Sequence, residues 1–366
     1  MVRRYSWEYR RAHSNEFPIV CETCLPKEEL RFKRERDLEL HNNMTSKHLP
    51  GYVPKERNKR RKRRSKGTRI NKFIDEHILI DDSYRTACNH IVKKIGNILK
   101  NNVLEMYRPA EVIKAGSTGK GTAIKGSSDV DIVFLLGDNF KEVEQLDEER
   151  DNILNDIAST LRDQEYNVIG KSSKAVQVRC HELYTIDVDI LPAINLDDYD
   201  RNAISAKMES SDPTVRKSFT PSLTKWQRDF VKYCPEKLKR LIRYVKNWKD
   251  TALKNSPPSY AMELLVIHLW HQASRPNDFH FESALGLVME NLSSSSTIRI
   301  EFDEFYDSQH RQRHDTPYII DPVSPYSNVM EKYDSWGEVE NRAKEFLKRE
   351  ILSGIQFGFK PNPYLE

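Results

Sequence analysis

Four short stretches of the chain predict β-strands, because their apolar and β-branched residues either form a short run or alternate with polar ones. They are residues 111–114, 129–136, 175–179 and 184–191. In other segments apolar residues recur every three or four positions, which predicts amphipathic helices. These helices are expected near residues 69–77, 83–101, 146–164, 223–233, 236–254, 259–274 and 335–351. Strands mixed with helices, followed by helices alone, favour an α+β fold with two lobes, one built on a mixed sheet and one helical.

The charge distribution divides the chain into segments. Residues 55–69 carry ten Lys or Arg and one Glu, which is the composition of a basic linker. The linker separates an N-terminal extension, residues 1–54, from a body that we divide into residues 70–204 and residues 205–366. The chain has a net charge of +4, but the body alone carries −7. Any nucleic-acid surface on the body must therefore be local, whereas the linker suits a nuclear-localisation signal, an RNA tether or both.

The strand expected at residues 129–136 begins with two carboxylates, Asp129 and Asp131. Side chains at positions i and i+2 of a strand project from the same face, so both carboxylates point the same way. Hard oxygen ligands of this kind suit Mg²⁺ or Mn²⁺ bridging a triphosphate. Gly116 and Ser117 lie upstream in a glycine-rich turn, where the backbone can approach a phosphate and amides and a hydroxyl can donate to it.

A second strand carries another acidic pair, Asp187 and Asp189, on one face, and Pro192 is expected to end it. Either carboxylate could complete a triad with Asp129 and Asp131 across adjacent strands. Burying several carboxylates without a cation is costly, which favours a metal site. Two metals about 3.5–4 Å apart would activate an attacking hydroxyl and neutralise a leaving pyrophosphate, which is the chemistry of nucleotidyl transfer.

The block formed by Gly116-Ser117, eleven intervening residues and Asp129-Val-Asp131 resembles the polymerase-β-like nucleotidyltransferases. Its fuller form, which begins at Lys114 and reads Lys-Ala-Gly-Ser-Thr-Gly-Lys-Gly-Thr, is similar to the 2′-5′-oligoadenylate synthetases. The similarity continues in order through residues 72–77, 226–232, 235–248, 257–265 and 320–325. It implies a bilobal nucleotidyltransferase fold with the active site in the cleft. It also implies a synthetase that polymerises ATP into 2′-5′-linked oligoadenylates, with activation by double-stranded RNA, in antiviral innate immunity.

The resemblance implies roles for the carboxylates. Asp129, Asp131 and Asp189 match the family's three catalytic metal ligands, because the family's third Asp is followed by an apolar residue and then Leu-Pro-Ala, as here. Asp187 is then the less favoured ligand, and Asp189 is also the expected general base. The implied cofactor is Mg²⁺ or Mn²⁺.

The resemblance also implies a nucleotide site for ATP. Its expected members are Gly116, Ser117, Arg243, Lys246, Ser259 and Tyr260. Ser117 matches the triphosphate contact, Lys246 the donor-site Lys and Tyr260 the aromatic side chain near the adenine. Arg243 falls in the region that holds the acceptor nucleotide. Ser259 stands where vertebrate relatives carry Gln, so base contacts there are expected to differ.

Basic residues near the glycine-rich turn and on two predicted helices form a candidate RNA surface. The five that coincide with basic positions of the family's double-stranded RNA surface are Lys114, Lys120, Arg228, Lys232 and Lys237. A-form RNA is recognised mainly by shape and phosphate contacts, so basic side chains without a sequence-reading motif are what such binding needs. Glu236 stands where the family has Thr, which places a negative charge near the expected RNA path.

The N-terminal extension contains a Cys/His set. It consists of Cys21, Cys24, His41 and His48. A Cys-x2-Cys pair followed by a charged helical stretch and two His is a pattern of small zinc modules. The spacing is irregular, because residues seven apart on a continuous helix lie about 10 Å apart along its axis. The sequence is compatible both with a structural Zn²⁺ site and with an incidental set of Cys and His residues.

Other features indicate where the protein acts. The sequence has no run of 18 apolar residues and no apolar signal core, and its five Cys are dispersed. We therefore expect a cytoplasmic protein, also nuclear if the linker is a localisation signal, with no membrane partner. The Cys-Phe-Lys element linked to tetramerisation in small vertebrate synthetases is missing near residues 346–352, so a monomer is expected.

Two other functions fit the same residues. A cyclic GMP-AMP synthase-like receptor would use the same carboxylates to make a cyclic dinucleotide. The zinc ribbon typical of the vertebrate enzyme has no match after residue 70, which disfavours this alternative. A catalytically silent RNA sensor is the third function, and the presence of all three carboxylates argues against it.

Overall fold

The computed structural model describes a short strand pair near the N-terminus and most of the chain from residue 69 onward. The described residues are 19–20, 31–32, 69–126, 129–302, 314–349, 352 and 354–359. The first two ranges are a pair of short strands, in which β1 (Ile19–Val20) pairs antiparallel with β2 (Arg31–Phe32). The candidate zinc ligands and nearly all of the basic linker lie outside the described residues, so both stay predictions. The ligands concerned are Cys21, Cys24, His41 and His48.

The first lobe is built on a five-stranded sheet. Its strands are β3 (Pro109–Lys114), β4 (Val130–Leu136), β5 (Asn167–Lys171), β6 (Val176–His181) and β7 (Thr185–Ala193). Their order across the sheet is β3-β4-β7-β6-β5. Neighbours are antiparallel except β4 and β7, which run parallel. The sheet is therefore mixed, as predicted.

Four helices precede or connect these strands. They are α1 (Arg69–Phe73), α2 (Asp82–Asn102), α3 (Gly116–Lys120) and α4 (Val143–Asp163), and a π-helical turn, Ile74–Ile78, continues α1. A 3₁₀ turn, Glu105–Tyr107, follows α2. The glycine-rich turn of the sequence is thus a single helical turn, α3, between β3 and β4.

The rest of the chain is mainly helical. Its helices are α5 (Arg201–Ser210), α6 (Pro213–Ser218), α7 (Thr220–Lys232), α8 (Glu236–Ala252), α9 (Ser259–Gln272), α10 (Phe281–Leu292) and α11 (Trp336–Leu347). A small sheet of β8 (Arg299–Ile300), β9 (Tyr318–Asp321) and β10 (Ser324–Asn328) accompanies them, with a 3₁₀ turn at Ser295–Thr297. Within the described residues, no helix is both long and apolar enough to cross a bilayer.

The apolar pattern explains where the helices form. In α8 the buried residues Leu238, Leu241, Ile242 and Val245 follow the three- and four-residue spacing of one helix face. Helix α2 begins after Asp81, whose carboxylate accepts a hydrogen bond from the Tyr84 backbone N–H at 2.6 Å and so caps the first turn. Local sequence and burial therefore agree in these elements.

Two large hydrophobic cores underlie the two lobes, and a third, small cluster lies on β3, β4 and β7. The first packs the main sheet against α2 and α4, and the second collects α8 to α11. Both cores draw on segments from either side of residue 204: Ile74 and Ile124 lie in the second core, whereas Leu223 and Trp226 of α7 lie in the first. Phe230, near the other end of α7, belongs to the second core, so this helix joins the lobes. The domain boundaries at residues 204 and 205 stay a prediction.

The sequence prediction of the elements was incomplete. It missed the edge strand β5, helices α5, α6 and α10, and the small sheet. Pro192 does not end β7, which continues to Ala193. The reason is that β6 pairs with β7 only as far as Ile190, while β4 continues to pair with Pro192 on the other side. A proline beyond the last β6 partner removes no ladder hydrogen bond on that side.

Candidate active site

The centre of the site is a pair of carboxylates on adjacent parallel strands. Asp131 of β4 and Asp189 of β7 are direct register partners, so their side chains leave the sheet side by side on one face. Asp129 immediately precedes β4, and its i, i+2 relation to Asp131 puts it on the same side. The three carboxylates that the sequence predicted as metal ligands therefore lie on one side of the sheet, with Asp131 and Asp189 directly side by side.

Helix α3 packs directly against this pair. The Ala115 backbone N–H donates to the Asp131 carbonyl at 2.8 Å, and Gly116 has a positive φ of 54°. A Cβ atom at Gly116 would lie 1.6 Å from Oδ2 of Asp131, so only glycine permits this approach. Ser117 follows within the same turn and is half-buried. The glycine therefore has two reasons to be here, its backbone conformation and the nearby carboxylate.

The acidic cluster is electrostatically uncompensated. Burial and the neighbouring Asp189 raise the pKa of Asp131 to about 6, although Lys120 opposes the shift. Burial, Asp187 and Asp189 likewise raise the pKa of Asp129. Among the described residues, no three His, Cys, Asp or Glu side chains are drawn together into a ready-made metal site. The donors nevertheless fit a hard divalent cation, because such a cation would relieve the repulsion between the carboxylates.

Strand β6 distinguishes the two carboxylates of β7. Arg179 holds Asp187 through two hydrogen bonds of 2.7 Å, and this guanidinium is the main cause of a lowered pKa of Asp187. Asp189 accepts only a weaker bond of 3.2 Å from the Gln177 amide. Asp187 is therefore occupied by a partner, while Asp189 is the better placed of the two to bind a cation.

A second charged cluster lies where the two lobes meet. Glu263 of α9 is 1% exposed and accepts hydrogen bonds from Lys120 at 3.0 Å, Thr122 at 2.5 Å and Lys246 at 3.3 Å. Burial disfavours its charge, but the two ammonium groups and the hydroxyl outweigh burial, so the pKa of Glu263 is lowered. Lys246 also donates to the Thr122 carbonyl at 3.0 Å. The predicted donor-site Lys is thus buried beside α3 in an ion pair.

The remaining predicted nucleotide residues also face α3 and the loop after it. Lys120 Nζ lies 3.7 Å from the ring centroid of Tyr260, whose hydroxyl donates to Asp321 at 3.3 Å. Arg243 donates to the Gly121 carbonyl at 2.5 Å and to Glu236 at 2.7 Å. The half-buried Ser259 opens α9 next to Tyr260. The nucleotide roles themselves stay predictions.

The predicted RNA residues are not a uniform exposed stripe. Lys120 lies in the cluster around Glu263, and Arg228 is buried with Asp229 at 2.8 Å. Lys114 is half-buried and donates to Asn89 at 2.6 Å. Lys237 forms an ion pair with Asp278 and keeps 30% of its side chain exposed. Much of the expected positive surface is therefore neutralised by the protein's own groups, and RNA binding stays a prediction.

Lys232 of α7 is the fifth residue of that set and is half-buried. Nearby basic residues of the same helices are also paired: Lys225 contacts Glu111 and Asp197, and Arg240 contacts Asp75 at 2.7 Å. Some basic residues of α7 and α8 are therefore paired within the protein, Lys225 on the sheet lobe and Arg240 with the turn that follows α1.

Two buried acids of the site escaped the sequence prediction. Glu263 and Asp321 are 1% exposed and contact residues that the sequence did single out. A signal existed for Glu263, since an acid inside the otherwise apolar stretch of α9 is rarely buried unless it is paired. No periodicity marks Asp321, whose contacts depend on the fold of a short strand.

Comparison with known proteins finds two family models that match parts of the chain. A family model described as "2'-5'-oligoadenylate synthetase 1, domain 2, C-terminus" matches residues 201–357. A second model, "Second Messenger Oligonucleotide or Dinucleotide Synthetase domain", matches residues 66–226. The two matches overlap and together span most of the described chain.

Individual relatives agree with these matches. The 2'-5'-oligoadenylate synthase 1A of Rattus norvegicus is 27% identical over 325 residues, covering 76% of this chain and 89% of the relative. The protein of the same name from Mus musculus is 28% identical over 299 residues, covering 71% and 81%. In fold alone, the chain is similar to the E. coli MS115-1 CdnC:HORMA-deltaN complex, with a TM-score of 0.53, 18% identity and coverage of 75% of this chain and 87% of the other. The chain is therefore similar over most of its length to the 2′-5′-oligoadenylate synthetases, and it is a nucleotidyltransferase.

Proposed function

We propose that this nucleotidyltransferase joins ATP into 2′-5′-linked oligoadenylates with release of pyrophosphate, and that double-stranded RNA activates it as part of antiviral innate immunity. The observation that carries the proposal is the direct register of Asp131 and Asp189 beside the Gly116 turn. It supplies adjacent carboxylates next to a helical turn whose backbone and Ser117 hydroxyl can approach a phosphate. The names of the relatives support the choice of product.

In the proposed reaction, Asp129, Asp131 and Asp189 would hold Mg²⁺ or Mn²⁺. The bound cations would supply a Lewis acid for the α-phosphate and the leaving pyrophosphate. Asp189, oriented by Gln177, is the proposed acceptor of the proton from the attacking 2′-hydroxyl. Arg179 keeps Asp187 paired, so that a fourth carboxylate adds no further unpaired charge.

The proposed ATP site lies between the lobes. Gly116 and Ser117 would contact the triphosphate, Lys120 and Lys246 would offset its charge, and Tyr260 would lie beside the adenine. Arg243 and Ser259 would border the acceptor and the base. The contacts of α3 with α8 and α9 support this arrangement, because they bring these residues around one loop.

The proposed RNA surface uses phosphate contacts. Lys114, Lys232 and Lys237 are at least partly exposed, whereas Lys120 and Arg228 would support that surface from below. Phosphate would compete with Asp278 for Lys237, since an exposed ion pair contributes little stability. We further propose a monomer in the cytoplasm, and in the nucleus if the linker directs it there.

A product assay tests the proposal. Purified protein is incubated with ATP, GTP and Mg²⁺ or Mn²⁺, with and without long duplex RNA, and products are separated by chromatography and mass and treated with a 3′-5′-specific nuclease. Linear, nuclease-resistant adenylates that appear only with RNA are the expected result. Equal amounts of adenylates without RNA would refute activation by RNA, while the proposed synthesis of 2′-5′-linked adenylates would stand. No product under any condition would support the silent RNA sensor.

A cyclic dinucleotide synthase is the second candidate. The match to a model that covers both oligonucleotide and dinucleotide synthetases favours it over unrelated transferases. The same assay separates the two, because a cyclic product has no free ends and a different mass. A cyclic product from ATP and GTP would replace the first proposal with this one.

A further inference from the structure

Asp321 is a buried acid to which no basic side chain of the described residues is hydrogen-bonded. It is the last residue of β9, is 1% exposed, and accepts three hydrogen bonds. These come from the Gln227 amide at 2.5 Å, the Val323 backbone N–H at 2.9 Å and the Tyr260 hydroxyl at 3.3 Å. All three donors are neutral, so the carboxylate is hydrogen-bonded but its charge is not paired.

The position of Asp321 joins the two lobes. Its partner Gln227 lies on α7, between Trp226 of the sheet-lobe core and the part of α7 that enters the helical-lobe core. Its other side-chain partner, Tyr260, lies on α9 of the helical lobe. One carboxylate therefore contacts both α7, which joins the lobes, and α9 of the helical lobe.

Tyr260 is restrained from two directions. Lys120 lies over its ring face at 3.7 Å, and Asp321 holds its hydroxyl at the ring edge. The ring face sets what can stack on it, while the hydroxyl bond fixes the position of the far end of the ring. Without the hydroxyl bond, packing alone would determine the orientation of this half-buried side chain.

We propose that Asp321 is a positioning residue for the nucleobase of the donor nucleotide: it fixes the Tyr260 ring through the phenol hydroxyl and ties that ring to the sheet lobe through Gln227. The proposal rests on the proposed function, in which Tyr260 lies beside the adenine of ATP. It makes the Tyr260 hydroxyl, which need not touch the nucleotide, a determinant of ATP affinity.

The test is a double-mutant cycle on the full chain with ATP, Mg²⁺ and duplex RNA. Tyr260→Phe removes the hydroxyl and keeps the ring, and Asp321→Ala removes its acceptor. Each change should raise the KM for ATP about tenfold with little change in kcat, because the lost charge-assisted hydrogen bond orients the base and not the reacting phosphate. The KM of the double variant should be no higher than that of the more impaired single variant, because both substitutions remove the same interaction.

Asp321→Asn provides the conservative comparison. Its amide oxygen can still accept from Tyr260 and Val323, and the Gln227 amide can rotate to accept from the new NH₂ group. We expect KM to rise only about threefold, clearly less than in Asp321→Ala. Circular dichroism of each variant reports on folding, and Tyr260→Phe keeps the test decisive if Asp321→Ala does not fold.

Two results would overturn the proposal: a wild-type KM for Tyr260→Phe, or an Asp321→Ala effect that is equally large in the Tyr260→Phe background. Failure of the proposed function has a different signature. Calorimetric titration with ATP would then show the same affinity for the wild type and for Tyr260→Ala, which lacks the whole ring. An affinity lost in Tyr260→Ala but unchanged in Tyr260→Phe removes only the role of Asp321.

Discussion

The cleft contains two clusters of charged side chains that are built in opposite ways. On the sheet, Asp131 and Asp189 stand side by side, and the pKa of Asp131 is raised because its charge is buried near another acid. At the junction of the lobes, Glu263 is more deeply buried, yet its pKa is lowered because two ammonium groups and a hydroxyl surround it. Burial alone therefore does not distinguish a site from a scaffold.

The comparison distinguishes buried acids that are paired with basic groups of the protein from acids whose charge is available to a ligand. A buried acid with its full set of partners gains nothing further from a cation, whereas paired carboxylates without basic partners do. We therefore assign Glu263 to architecture and Asp131 and Asp189 to chemistry. Each of the following substitutions probes this assignment, starting from the largest expected effect.

Asp131→Ala should lower nucleotidyl transfer by at least about 10³-fold while leaving the fold intact, because it removes a proposed ligand worth several kcal/mol in the transition state. Pyrophosphate release from ATP measures the loss, and circular dichroism checks the fold. Asp187→Asn is the matched control on the same sheet face and should keep activity within about tenfold of wild type, since Arg179 already occupies that carboxylate. Equal losses in both variants would remove the distinction drawn here between the two acids.

Glu263→Gln should destabilise the protein by about 3 kcal/mol, because it leaves Lys120 and Lys246 buried without a counter-charge. Chemical denaturation measures the free energy of unfolding. Asp278→Asn breaks the partly exposed pair with Lys237 and should cost less than about 1 kcal/mol. If the two variants lose the same stability, the cluster around Glu263 is not the structural element proposed.

Gly116→Ala should reduce activity about 10²-fold, because the new Cβ occupies the position of the Asp131 carboxylate and forces it to move. Gly126→Ala is a fitting control: Gly126 also has a positive φ, of 80°, but nothing lies within 4 Å of its added Cβ. This control should show the backbone cost alone, about 1 kcal/mol of stability, with activity retained. An active Gly116→Ala enzyme would contradict the close approach.

Asp321→Asn should alter the pH dependence of stability. Burial raises the pKa of Asp321 to about 6 from an unfolded value of 3.8, so the folded state binds more protons in between, and the wild type loses stability as pH rises through this window. The variant lacks this loss. Its stability relative to wild type should therefore rise by on the order of 2 kcal/mol between pH 4 and pH 7.

Thermal unfolding across this pH range measures the effect, with Asp187→Asn as the comparison. The pKa of Asp187 is lowered by Arg179, so its titration falls below this window and the difference from wild type should stay constant between pH 5 and pH 8. A pH-independent difference for Asp321→Asn would show that the acid is not held as described.

The sequence predicted the strands that carry the carboxylates because alternation of apolar and acidic residues is a local signal. It also indicated that Asp131 and Asp189 would meet across adjacent strands. Strand β5 was missed because it is only five residues long, and its two β-branched residues, Val168 and Ile169, are followed by a glycine, which weakens a strand signal. Helix α10 was missed although its apolar residues, among them Phe281, Leu285 and Val288, recur at helical spacing.

The contacts of the charged side chains could not be predicted from the sequence for a different reason. Lys120 and Arg228 look like surface residues in a basic stretch, but their burial depends on how α3 and α7 pack between the lobes. Tertiary packing, with partners more than a hundred residues away, decides whether such a side chain meets solvent or Glu263. Composition cannot supply that information.

Each of the two large hydrophobic cores contains residues from both halves of the chain, which limits where the chain can be divided into folded fragments. Ile74 and Ile124 leave the N-terminal half to pack among the C-terminal helices, while Leu223 and Trp226 pack back beneath the sheet. A cut at residue 204 would strip apolar partners from both fragments at once. Neither lobe can therefore be exchanged alone between relatives. We expect soluble chimaeras only when α1 is exchanged together with α8 to α11, and the start of α7 together with the sheet.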